Sequence, residues 1–163
     1  LHFPAARFDA VRPGIALYGV DPTPPEIGDA ALAPALSLES EVMVVRRVPP
    51  GTPLGYGGTF VTSRTTDVAV LPIGYHDGLR RSFSGRSYVL LRGARAPVVG
   101  AVSMDLTLVD ATNTGAEPGD TAVILGRSGD EEIRAWDLAR AAGTNPWEIL
   151  CGIGARVRRE YRP

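Results

Sequence analysis

Short apolar runs broken by glycine- and proline-bearing turns fill the chain from Leu36 onward, and this punctuation restricts the fold more than any other feature. Runs of about four to eight residues between breakers are too short for a stable helix but suit strands. Leu38, Val42, Val44 and Val48 form a first long run, and Val68, Val70 and Ile73 a second. Later candidates are Tyr88 to Leu91, Pro97 to Val102, Leu106 to Asp110, Ala122 to Leu125 and Ala155 to Tyr161. Pro49-Pro50-Gly51, Asp77-Gly78, Gly93 and Glu117-Pro118-Gly119-Asp120 mark turns between them. Such a pattern predicts a mainly β domain, a barrel or sandwich in which closure protects the strand edges.

Two short helices are expected near the C-terminus. Ile133, Trp136, Leu138, Ala139 and Ala142 share one side of the first, and Gly143 can take the left-handed conformation that stops it. For the second, Asn145 can cap, Pro146 suits the first helical position, and Glu148 stands where a capping-box carboxylate reaches back. Ahead of the β pattern, Val11 to Gly19 reads as a Pro-Gly turn followed by a short apolar strand. The proline-rich stretch from Asp21 to Asp29 suits a connector.

The 163 residues, 44% of them apolar, are enough for one core. Interspersed charges summing to -1 offer no basic face for nucleic acid. The longest apolar runs fall far short of the ~20 residues of a membrane-spanning helix. One cysteine, Cys151, excludes an internal disulfide and fits a reducing, cytoplasmic setting. The start, Leu1-His2-Phe3-Pro4, has no methionine and no signal-peptide pattern, and reads as an internal start. All 17 basic residues are arginine. Only lysine carries the ε-amine that forms a Schiff base with an aldehyde cofactor, so that chemistry is closed to this chain alone.

Four places can carry chemistry. Gly55-Tyr56-Gly57-Gly58 presents a phenol on a glycine loop, and a phenol can act as acid or base where a cation lowers its pKa from the usual ~10. Tyr75-His76-Asp77-Gly78 follows an apolar strand. Val102-Ser103-Met104-Asp105 follows Gly100 at a bend whose free amides suit a carboxylate. Arg12, ahead of Pro13-Gly14-Ile15, offers charge-assisted hydrogen bonds beside amides that a phosphate can approach. Each has an ordinary structural reading when it stands alone. His2 and His76 lack zinc-ligand spacing, and no metal is assigned.

Taken in order, Val11-Arg12-Pro13-Gly14-Ile15-Ala16-Leu17-Tyr18-Gly19, Gly55-Tyr56-Gly57-Gly58-Thr59-Phe60, Pro72-Ile73-Gly74-Tyr75-His76-Asp77-Gly78, Gly100-Ala101-Val102-Ser103-Met104-Asp105 and Glu148-Ile149-Leu150-Cys151 resemble the alanine racemase family. The resemblance implies a Greek-key-like β-barrel of that family's C-terminal type over 36–163. It also implies a linker over 21–35, and over 1–20 the remnant of a (β/α)8 barrel that binds pyridoxal 5'-phosphate. It implies a head-to-tail homodimer in which this domain completes the partner's site, interconverting L- and D-alanine for peptidoglycan, and inactivity of the chain alone. Tyr56 would be the catalytic phenol opposite a cofactor lysine. Arg12 would bond the pyridine nitrogen, the Gly14 and Ile15 amides and Tyr75 would serve the cofactor phosphate, and the Met104 amide would bind the substrate carboxylate. His76, Ala101 and Ala155 depart from the family's usual alanine, arginine and tyrosine, which leaves open serine or a basic amino acid as substrate. A non-catalytic β module for binding or assembly is the remaining alternative.

Overall fold

The computed structural model describes residues 3–6, 8–28 and 30–161; Leu1 and His2, on which the reading of an internal start rests, lie outside them. The first half of the β pattern folds as β1 (Leu38–Glu41), β2 (Val44–Val48), β3 (Pro53–Leu54), β4 (Phe60–Val61) and β5 (Thr66–Leu71). The second half supplies β6 (Tyr88–Leu91), β7 (Ala94–Pro97), β8 (Thr107–Asp110), β9 (Thr121–Ser128) and β10 (Glu131–Ile133). Helices α1 (Ala135–Ala142) and α2 (Pro146–Cys151) close the series. The fold is mainly β with two short helices, as expected.

The strands form three antiparallel sheets. One runs β1-β9-β6-β7 with β10 added to β9, one runs β2-β5-β8, and β3 pairs β4 alone. Among the described residues the ladders do not close into a continuous barrel. Two short crossings join the larger sheets. Fully buried Val42 lies between β1 and β2 and bonds Asp120 and Gly119, while Val98 bridges Val109. One core therefore draws on both sheets and the helices: Leu38, Leu91 and Ile124 meet Ala69, Leu71 and Val109, with Leu138 and Ile149 covering one end.

The end of α1 and the start of α2 follow local chemistry. Gly143 takes φ 69° and ends α1, and the Asn145 side chain accepts the Glu148 amide at 3.0 Å to open α2. The Glu148 carboxylate does not reach back to Asn145 as expected. It takes the Thr144 hydroxyl and Arg80 instead, a cross-chain partner with a full charge.

Three strand expectations are corrected. Val11 to Gly19 holds no strand: Gly14–Tyr18 is a 3-10 helix stopped by Gly19 at φ 73°, because no neighbouring strand offers it a ladder. Pro97 to Val102 shifts toward the N-terminus, its strand being Ala94–Pro97. Ala155 to Tyr161 is not a strand either; Arg159 turns back onto the carbonyls of Gly154 and Val157, which satisfies the backbone locally.

Candidate active site

Tyr56 sits on the connection between β3 and β4. Gly55, Gly57 and Gly58 all have positive φ, at 72°, 73° and 57°, so the chain reverses within a few residues and leaves the phenol 75% exposed. The base of this hairpin is fixed by Thr62, whose hydroxyl accepts the Thr52 amide and donates to the Pro49 carbonyl. Its tip rests on a second loop. A Cβ on Gly55 would lie 2.8 Å from the Ala101 nitrogen, and one on Gly100 would lie 2.8 Å from the Leu54 oxygen, so two glycines let the backbones touch.

The second loop carries Met104. Ser103 bonds Leu106 through both backbone and side chain, and the buried Val102 amide donates to the Ser84 hydroxyl. The Met104 side chain is half exposed, and its amide has no acceptor among the described residues. A free, directed donor at a rigid bend is suited to a carboxylate.

A third loop, after β5, lies on the second. The Tyr75 amide donates to the Ser103 carbonyl at 2.9 Å and the His76 amide to the Met104 carbonyl at 3.1 Å. Gly74 is obligatory at this contact, since a Cβ there would lie 2.4 Å from both carbonyl oxygens. Tyr56 and Tyr75 thus stand on two loops that each touch the backbone of the Met104 loop, and all three residues are exposed to solvent.

Beneath this edge Asp77 and Asp105 share a partner, Arg156, that carries no signal in the sequence. Asp77 is buried, and its carboxylate accepts the Gly74 amide at 2.9 Å. Arg156 donates Nε to Asp77 Oδ1 at 2.5 Å and Nη2 to Asp77 Oδ2 at 3.0 Å, and the same Nη2 reaches Asp105 Oδ1 at 2.5 Å. The hydrogen bonds from Arg156 hold the Asp77 carboxyl below the usual range against the opposing effect of burial, and the Gly74 amide adds to this. Arg156 is in turn held more firmly protonated by Asp77 and then Asp105.

The remaining candidates lie apart. Arg12 is exposed, Ile15 is buried, and the amides of Gly14 and Ile15 have no acceptor among the described residues, as expected for the first turn of a helix. No hydrogen bond among the described residues joins Arg12, Gly14 or Ile15 to the loops of Tyr56, Tyr75 and Met104. Nor do the described residues contain a group of three or more His, Cys, Asp or Glu able to hold a metal, or a helix long and apolar enough to cross a membrane.

A family model for the alanine racemase C-terminal domain matches residues 35–161. The chain is 43% identical over 162 residues to the alanine racemase of Thermodesulfovibrio yellowstonii, covering 99% of this chain and 43% of that protein. The crystal structure of alanine racemase from a D-cycloserine-producing Streptomyces lavendulae superimposes with a TM-score of 0.92 at 42% identity, over 99% of this chain and 43% of that one. The alanine racemase of Bartonella henselae, solved with covalently bound pyridoxal phosphate, gives 0.84 at 37% identity, over 94% and 42%. The chain therefore spans about two fifths of the length of the relatives it matches.

Proposed function

This chain belongs to the alanine racemase family, matching its C-terminal domain, and from that premise we propose that it supplies the catalytic tyrosine of a pyridoxal-phosphate-dependent racemase of L- and D-alanine. The observation that carries this reading is the setting of Tyr56, an exposed phenol braced on the loop that bears the free Met104 amide. Tyr56 exchanges a proton at one face of the substrate's α carbon, while the Met104 amide holds its carboxylate. Inversion needs a second base on the opposite face, and this chain has no lysine to provide it.

That lysine belongs to a cofactor-binding barrel, of which residues 1–20 form the end; 21–35 is the linker and 36–163 the β domain. The separation of Arg12, Gly14 and Ile15 from Tyr56 and Met104 supports a head-to-tail homodimer, in which one chain's cofactor residues face the partner's tyrosine. The N-terminal residues suit pyridoxal phosphate: the Gly14 and Ile15 amides have no acceptor among the described residues, the space around the Gly14 Cα is open, and Arg12 is exposed. The bound cofactor withdraws electrons from the substrate's α carbon and acidifies its C–H. Arg12 donates to the ring nitrogen and, staying protonated at working pH, keeps that nitrogen unprotonated. Tyr75 lines the phosphate side. The setting is cytoplasmic and the product serves peptidoglycan.

The test combines this chain with a lysine-bearing barrel from a relative and follows alanine racemisation. The mixture is expected to be active and the chain alone silent, with Tyr56→Phe losing about a hundredfold or more of the rate. A Tyr56→Phe variant as fast as the unaltered chain removes this phenol from the mechanism. Exposed His76 and Ala155 stand in the contact edge of the third loop and its C-terminal neighbour, and they favour a second reading with a larger substrate. Competition of L-serine and L-arginine against L-alanine in the same mixture separates the two.

A further inference from the structure

We propose that Arg156 is a positioning residue that clamps the Tyr75 loop to the Met104 loop and so sets how firmly the substrate carboxylate is held. The second half of this statement rests on the racemase reading; the clamp itself does not. Arg156 lies 79 residues from Asp77 and 51 from Asp105, yet one guanidinium spans both carboxylates. Its planar fork delivers Nε and Nη2 to Asp77 in the paired geometry a carboxylate accepts, and Nη2 continues to Asp105. A lysine, with one ammonium, cannot reproduce that span.

The segment carrying Arg156 is seated for this task. The Gly154 amide donates to the Asp77 carbonyl at 3.0 Å, and a Cβ on Gly154 would lie 2.4 Å from the His76 oxygen. The chain after α2 thus lies directly on the Tyr75 loop. Asp77 and Asp105 flank the two backbone bonds, Tyr75 to Ser103 and His76 to Met104, that tie the loops together. Without the guanidinium, two carboxylates are left facing each other, one of them buried, and their repulsion acts to open those bonds. The group that then moves is the backbone around Met104.

Two readouts test this. In the chain itself, amide exchange at Tyr75 and His76 is expected to rise about tenfold in Arg156→Gln while amides of β8 and β9 keep their protection. Arg156→Lys should lie between the two. Adding Asp105→Asn to Arg156→Gln should slow exchange again, because the repulsion is gone. In the mixture with a lysine-bearing barrel, Arg156→Gln is expected to raise KM for alanine about tenfold with kcat within about threefold, the signature of lost ground-state holding. Unchanged exchange at Tyr75 and His76, or an equal rise across β8 and β9, overturns the clamp. An unchanged KM in an active mixture overturns the positioning role and leaves the racemase reading standing. No racemisation from the unaltered chain and barrel sinks the racemase reading instead, and the exchange result still decides the clamp.

Discussion

Asp77 illustrates how one residue's environment becomes a pH-dependent property. Its carboxyl titrates below the ordinary range because Arg156 and the Gly74 amide bond the charged form, and burial only partly opposes them. A carboxyl whose native pKa lies below the unfolded value of ~3.9 stabilises the fold fully above that value, and the contribution is lost as pH falls through the depressed native pKa. A carbon-detected titration is therefore expected to give Asp77 a midpoint under ~3.9, rising to the ordinary value or beyond in Arg156→Gln, where burial acts unopposed. The same midpoint in both proteins would show that the guanidinium does not set it. Tyr56, Tyr75 and Met104 were legible as candidates because each sits inside a short run of glycine or turn residues. Arg156 was not, since nothing next to it in sequence signals a partner 79 residues away. Gly74 and Gly100 carry no signal of their task in the sequence either; they matter because another backbone occupies the space of their missing side chains.

At the scale of elements, legibility follows the range of the forces that end each one. The stop of α1 and the first turn of α2 were readable, because caps are made by residues within a few positions. Tyr88–Leu91 was also found to the residue, lying between Ser87 and the reversal at Arg92 and Gly93. Other strand ends were readable in part: Leu38, Val48 and Asp110 match, while β9 runs past Leu125 to Ser128, since a strand lasts as long as its partner runs beside it. Val98 onward loses its ladder after the bridge to Val109, and Val11 to Gly19 never has one. The cap of α2 gives an element-scale prediction. Replacing Asn145 by alanine removes the acceptor for the Glu148 amide and is expected to cost about 1 kcal/mol, read as a lower urea midpoint with an unchanged slope. The Glu148 carboxylate is held by the Thr144 hydroxyl and the Arg80 guanidinium, so it is not free to become a replacement acceptor for that amide. A midpoint within error of the unaltered chain would mean the cap is replaced by water.

For the whole molecule, the question is which part of the chain unfolds as a unit. Apolar side chains from both large sheets and both helices enter one core, so the sheets are not separate bodies despite having separate ladders. The described chain before Gly19 contributes little to it: Phe3, Phe8, Val11 and Leu17 are each more than half exposed, and among the described residues there only Ile15 is buried. From Gly19 the attachment becomes specific. The Trp136 indole donates to the Asp21 carbonyl at 3.0 Å, Arg140 pairs with Glu26, and the Ala35 amide bonds the Tyr18 carbonyl. Limited proteolysis with a broad-specificity enzyme is therefore expected to cut first between Phe3 and Tyr18, leaving a fragment that keeps every strand. That fragment should unfold in a single transition, with tryptophan fluorescence and far-ultraviolet dichroism coincident, because Trp136 and Trp147 report on the two helices while the dichroism reports mainly on the sheets. First cuts within the turns between β1 and β10, or two separated transitions, would divide the core that binds the sheets together. Persistence of the N-terminal segment under digestion would mean instead that its exposed apolar residues are covered, and sedimentation at several concentrations would then identify a second copy of the chain as the cover.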